Sequence, residues 1–103
     1  MRKKKVVNDV YKEVFYLIVS DEIQKICEKY QISYNGQGHT FVGEDGIYII
    51  LKEGNINFFA HEVEHAISFL WETRGIEKIE GKDECFAYMI GWLTEKLLPF
   101  YLR

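Results

Sequence analysis

Proline occurs once and cysteine only twice in 103 residues. No uninterrupted apolar run is longer than that of residues 14–19, far short of the roughly 20 residues that a membrane span requires, so no membrane-spanning segment is expected among these residues. Cys27 and Cys85 are too few for a disulfide framework and form no CxxC pair, so the expectation is a reducing, cytoplasmic setting. An excess of positive charge is also missing. Thirteen Lys and Arg against sixteen Asp and Glu give a formal charge of −3, which argues against a dedicated nucleic-acid binder. The basic start, Met1 to Lys5, resembles the opening of a signal peptide, but Asn8, Asp9, Lys12 and Glu13 interrupt any apolar stretch and no A-x-A site follows. Residues 1–5 are therefore expected to be a flexible basic tail. No repeat, low-complexity segment or linker divides the chain, so residues 1–103 are expected to form one domain.

What is present suits a packed core: 48% hydrophobic and 16% aromatic residues with 28% charged ones. Residues 14–19, rich in β-branched and aromatic side chains, predict a strand that stops at Ser20 and Asp21. Ile23, Ile26, Cys27 and Tyr30 recur at helical spacing, which predicts a short helix over residues 21–29 with Cys27 on its packed face. A Gly-rich loop over 34–38 and a turn over 44–46 precede a buried-looking strand at 47–51. The second half is helical. Phe59, Val63, Ile67 and Leu70 make an apolar stripe over residues 56–74, which Gly75 is suited to end. A second helix over 83–98, apolar at Phe86, Met89, Ile90, Leu93 and Leu97, is expected to stop at Pro99 and to pack antiparallel to the first. Trp71 and Trp92 read as core or interface aromatics.

The chemistry lies in residues 61–65, His61-Glu62-Val63-Glu64-His65, an HExxH pattern. Four helical residues turn through about 400°, so both imidazoles emerge on one face about 6 Å apart along the axis. That spacing lets two neutral imidazoles reach one Zn2+ ion. Glu62 follows the first ligand directly and is placed to act as general base on a zinc-activated water. By composition alone, HExxH would arise in about one such chain in a hundred. Here it uses two of only three histidines and sits inside a strongly periodic helix.

A catalytic zinc normally takes three protein ligands and keeps a position open. No histidine follows His65, so a third imidazole from the same motif is absent. Glu84, at the start of the second helix, is the candidate third ligand, and Asp83 is its rival, with helix N-cap as the alternative role for Asp83. Glu64 is a further alternative ligand, or a group hydrogen-bonded behind the ligands. Tyr88, one turn beyond Glu84, and His39, in the Gly-rich loop, are candidate donors to substrate or to an oxyanion. Cys85 is expected to pack rather than to ligate.

His61-Glu62-Val63-Glu64-His65-Ala66, followed by Asp83-Glu84-Cys85-Phe86-Ala87-Tyr88, resembles the two-helix core of gluzincin-type zinc metallopeptidases. It is most similar to the small zincin-like proteins of bacteria and phages, including ImmA/IrrE-like peptidases. The resemblance covers about residues 46–98. It implies a minimal zincin-like α+β fold, a small antiparallel or mixed sheet with the HExxH helix packed against a C-terminal helix. It also implies His61, His65 and Glu84 as zinc ligands, Glu62 as catalytic base, and the strand at 47–51 as an edge strand against which an extended peptide can pair. Thermolysin-like members place an aspartate four residues after the ligand glutamate, where this chain has Tyr88. The implied activity is zinc-dependent hydrolysis of a peptide bond in a peptide or protein substrate, in the cytoplasm of a bacterial or phage-infected cell. The alternative is a catalytically weak or inactive zincin-like interaction protein, with an aromatic-rich surface and an exposed edge strand suited to a protein partner or a homodimer.

Overall fold

The computed structural model describes residues 1–32, 36–77 and 84–103. In chain order its elements are β1 (Arg2–Asn8), β2 (Glu13–Val19), α1 (Ile23–Lys29), β3 (Gly38–Gly43), β4 (Gly46–Leu51), α2 (Ile56–Thr73) and α3 (Glu84–Tyr101). The architecture is α+β, with a mixed four-stranded sheet ordered β1-β2-β4-β3. β1 pairs antiparallel with β2, β2 runs parallel to β4, and β3 returns antiparallel on β4. No helix among the described residues is long and apolar enough to cross a membrane.

Pleat alternation sorts the sheet into two faces. Phe15, Leu17, Val19, Ile47, Ile49 and Leu51 join Phe59, Val63, Ala66, Ile67, Leu70, Leu93 and Leu97 in the main core beneath α2 and α3. Ile18, Tyr48 and Ile50 face the other way and are covered by Ile23, Ile26 and Cys27 of α1. Every residue of β4 is buried. A strand covered on both faces reads as a continuous apolar run, which is why its sequence shows no alternation. Each fully buried Ile or Leu contributes about 1.5–3 kcal/mol of transfer free energy.

The two long helices are antiparallel, as their stripes predict. Trp71 near the end of α2 meets Phe86 at the start of α3, and Phe59 at the start of α2 meets Tyr101 at the end of α3, each pair with ring centroids 5.1 Å apart. Asn55 caps α2 by accepting the Phe58 N–H at 3.1 Å. At its other end the Ile76 N–H donates to Trp71 O and the Gly75 N–H to Glu72 O, a Schellman closure with Gly75 at φ 67°.

Four expectations change. Residues 1–5 are not a tail, because Arg2–Asn8 form β1. Arg2 clamps that strand to the rest of the molecule: its guanidinium pairs with Glu53 at 3.1 Å, donates to the carbonyls of Phe100 and Tyr101, and lies 4.9 Å from the Phe100 ring centroid. A cation satisfying the last carbonyls of a helix is favourable there. The strand at 46–51 is interior, not an edge; the edge beside α2 is β3. Pro99 lies inside α3, which continues to Tyr101. Tyr101 anchors that last turn, donating its hydroxyl to Lys52 O at 2.6 Å and accepting the Asn55 N–H at 2.8 Å. Finally, α1 begins at Ile23, with the Ser20 hydroxyl accepting the Glu22 N–H just before it.

Candidate functional site

The buried stripe of α2 runs Phe59, Glu62, Val63, Ala66, Ile67, Leu70 and Trp71. One member is a carboxylate. Among the described residues Glu62 is the only charged residue that is buried, at 5% exposure. Removing a carboxylate from water is costly unless it is hydrogen-bonded, and Glu62 has such a partner. The Thr40 hydroxyl of β3 lies 2.7 Å from Glu62 Oε1 and 3.2 Å from the Glu62 carbonyl oxygen.

Thr40 reaches Glu62 because alternation turns it toward α2. Gly38, two residues earlier on the same face, makes the room. A Cβ at that position would stand 3.2 Å from Glu62 Cγ and 2.7 Å from Leu51 Cδ2. The carboxylate therefore lies in a slot cut into the edge strand. Oε1 is engaged by Thr40, and Oε2 is 4.0 Å from His61 Nε2.

His61 and His65 flank this carboxylate at the helix surface. Their Nε2 atoms converge to 3.0 Å, in hydrogen-bond contact with one another. Two nitrogens bound to one tetrahedral zinc at about 2.0–2.1 Å would be about 3.3 Å apart, so this pair is close to a bidentate arrangement. Phe69 lies against His65 with centroids 6.4 Å apart, and Phe58 meets His61 edge-on at 6.5 Å. Gly38, His39, Thr40, His61, Glu62, His65 and Phe69 line a cleft of about 280 Å³ between β3 and α2.

The other predicted residues fall elsewhere. Glu84 is exposed in the first turn of α3 and lines a groove with Ala87, Tyr88, Gly91, Trp92 and Glu95, not the cleft. The contact of neighbouring Phe86 with Trp71 explains the separation, since Trp71 lies six residues, about 9 Å of helix, beyond His65. Asp83 lies outside the described residues. Tyr88 is 75% exposed beside Cys85 and residues 7–11, the end of β1 and the turn after it, away from the histidines. His39 belongs to β3 rather than to a loop. It lines the cleft, with its ring stacked 6.2 Å from Phe41 on the same strand. Glu64 accepts a hydrogen bond from Ser68 at 3.3 Å and serves its own helix. Cys85 is exposed, not packed. Buried Cys27 has its thiol pKa pushed up by desolvation, which suits a packing role.

Two converging imidazoles with a carboxylate beside them suit zinc in donor type and spacing. A third protein donor is not brought to them: among the described residues no group of three or more His, Cys, Asp or Glu side chains is disposed to hold a metal. Thr40 and Gly38 were not found by sequence reasoning. The available signal was Glu62 itself, a carboxylate on the apolar stripe that demanded a partner from the packed sheet. Comparison with protein-family models, with curated proteins and with solved structures gives no match to the chain.

Proposed function

We propose that the chain is a minimal zincin-like, zinc-dependent peptidase, with the cleft between β3 and α2 as its active site. The observation that carries this reading is the convergence of His61 and His65 Nε2 atoms at 3.0 Å beside a buried, hydrogen-bonded Glu62. His61 and His65 would hold the ion; for Glu84 to be the third donor, the start of α3 would have to approach the histidines, from which it stands apart in this structure. Zinc, when bound, supplies a Lewis acid that polarises a carbonyl and makes water more acidic. Glu62 does the proton work. Its Oε2, on the histidine side, takes a proton from the attacking water and returns it to the leaving amine. An extended peptide would align along the outer edge of β3, the strand that borders the cleft and that pairs with no second strand among the described residues.

The test combines metal analysis with cleavage of a broad peptide library. The expected result is one zinc per chain, cleavage by the native protein, and a loss of about 10²–10⁴ in rate for Glu62→Gln with zinc content unchanged. Absence of bound zinc in protein purified without chelators sinks the site, and unchanged cleavage by Glu62→Gln removes the base. Glu84→Gln should lower zinc affinity if that carboxylate is the third donor. The separation of Glu84 from the histidines favours one second reading, a zincin-like interaction protein without turnover. Occupied zinc with no cleavage of any peptide would select it.

A further inference from the structure

The geometry points to Thr40 as a positioning residue for Glu62, acting from the edge strand; this rests on the peptidase reading above. A glutamate on a helix surface has three rotatable bonds and samples many rotamers. Here three constraints remove that freedom. The residue is 95% buried by its surroundings, leaving 5% exposure. Gly38 opens a slot that any Cβ would narrow to 3.2 Å from Glu62 Cγ. The Thr40 hydroxyl, itself 7% exposed, holds Oε1 at 2.7 Å.

The consequence is a division of labour between the two carboxylate oxygens. Oε1 is occupied by a fixed donor from β3, which leaves Oε2 as the oxygen on the side of the converging imidazoles, 4.0 Å from His61 Nε2. Reaction rates depend steeply on such placement, because a base held in the reactive geometry avoids the entropy of finding it. Thr40 also ties this geometry to the strand on which substrate is proposed to lie. Any shift of β3 relative to α2 moves the base with it.

The experiment compares Thr40→Val, which keeps the shape and removes the donor, with Thr40→Ser, which keeps the donor. For Thr40→Val the expected result is a fall in kcat of about ten- to a hundredfold with KM and zinc content near native values, restored by Thr40→Ser. Unchanged kcat in Thr40→Val overturns the inference. So does equal loss of kcat, zinc and folding stability in both variants, since that would make Thr40 only a fastener between β3 and α2. A second measurement needs neither metal nor turnover. In the metal-free native protein the Thr40 hydroxyl proton should be visible by NMR as slowly exchanging and correlated with the Glu62 carboxyl carbon; a rapidly exchanging proton overturns the inference. If the native protein cleaves nothing while this signal is present, the peptidase reading fails and the Thr40–Glu62 contact stands.

Discussion

The two edges of the sheet are built on opposite principles. β1 carries Lys3, Lys4 and Lys5, all exposed, and its first residue is tied down by Glu53 and the end of α3. β3, Gly38–Gly43, carries no Lys, Arg, Asp or Glu and borders the HExxH helix. Consecutive lysines on an edge discourage another strand from pairing there, whereas an uncharged edge leaves its backbone groups open to one. The same sheet thus carries charge along one edge and none along the other, the one next to the histidines.

Three substitutions probe that contrast. The largest effect is expected from Gly38→Ala at the open edge. The new methyl would stand 2.7 Å from a fully buried Leu51 side chain and 3.2 Å from Glu62, with little space for either to retreat. Overpacking of this kind costs about 1–3 kcal/mol, so both the midpoint of denaturant unfolding and the rate of the proposed peptidase reaction should fall. A variant with native stability and rate would show that the slot is looser than its contacts indicate.

At the closed edge, Arg2→Ala should cost about 1 kcal/mol, combining a partly exposed ion pair with lost contacts to helix carbonyls. The proposed zinc binding and cleavage should be untouched, because β1 is separated from β3 by two strands. Equal damage to stability and site would erase the distinction between the edges.

The smallest effect lies between them. Tyr48 on β4 stacks on Phe41 of β3 at 5.0 Å, on Tyr16 of β2 at 4.6 Å, and lies 5.8 Å below the Lys3 ammonium of β1. Burial, and then its hydrogen bond to the Asp45 carboxylate, hold the Tyr48 phenol protonated well above its ordinary pKa. A phenol whose folded pKa is raised contributes stability in full below its free value of about 10, and loses it as pH rises toward the folded value. Native protein should therefore weaken above about pH 10. Tyr48→Phe should flatten that decline, as read from unfolding midpoints at pH 8 and above pH 10.

Which parts of this were legible follows from the range of the interactions involved. His61, Glu62 and His65 are related by one turn of helix, so their common location could be read without knowing anything else. The strand at 47–51 and the stripe from Phe59 to Leu70 were equally plain, because continuous burial and a 3.6-residue period both mark the sequence directly. β1 was hidden by its own lysines. An exposed edge strand and a solvated tail present the same charges, and Val6 and Asn8 are too brief a buried alternation to separate them. Thr40 and Gly38 act on a residue more than twenty positions away, through a strand order that places β3 outside β4. Pro99 misled for a different reason: it gives up the i→i−4 bond that its N–H would make, and the anchoring of Tyr101 outweighs that loss.

β4 carries one last implication. Because it is covered by α2 on one side and α1 on the other, and flanked by β2 and β3, it belongs to both hydrophobic clusters at once. Neither cluster can melt without exposing it. The chain should then unfold as one cooperative unit, with the β4 amides exchanging slowest of all. Local opening is left to β3, which among the described residues pairs with one strand only, while β4 behind it stays rigid.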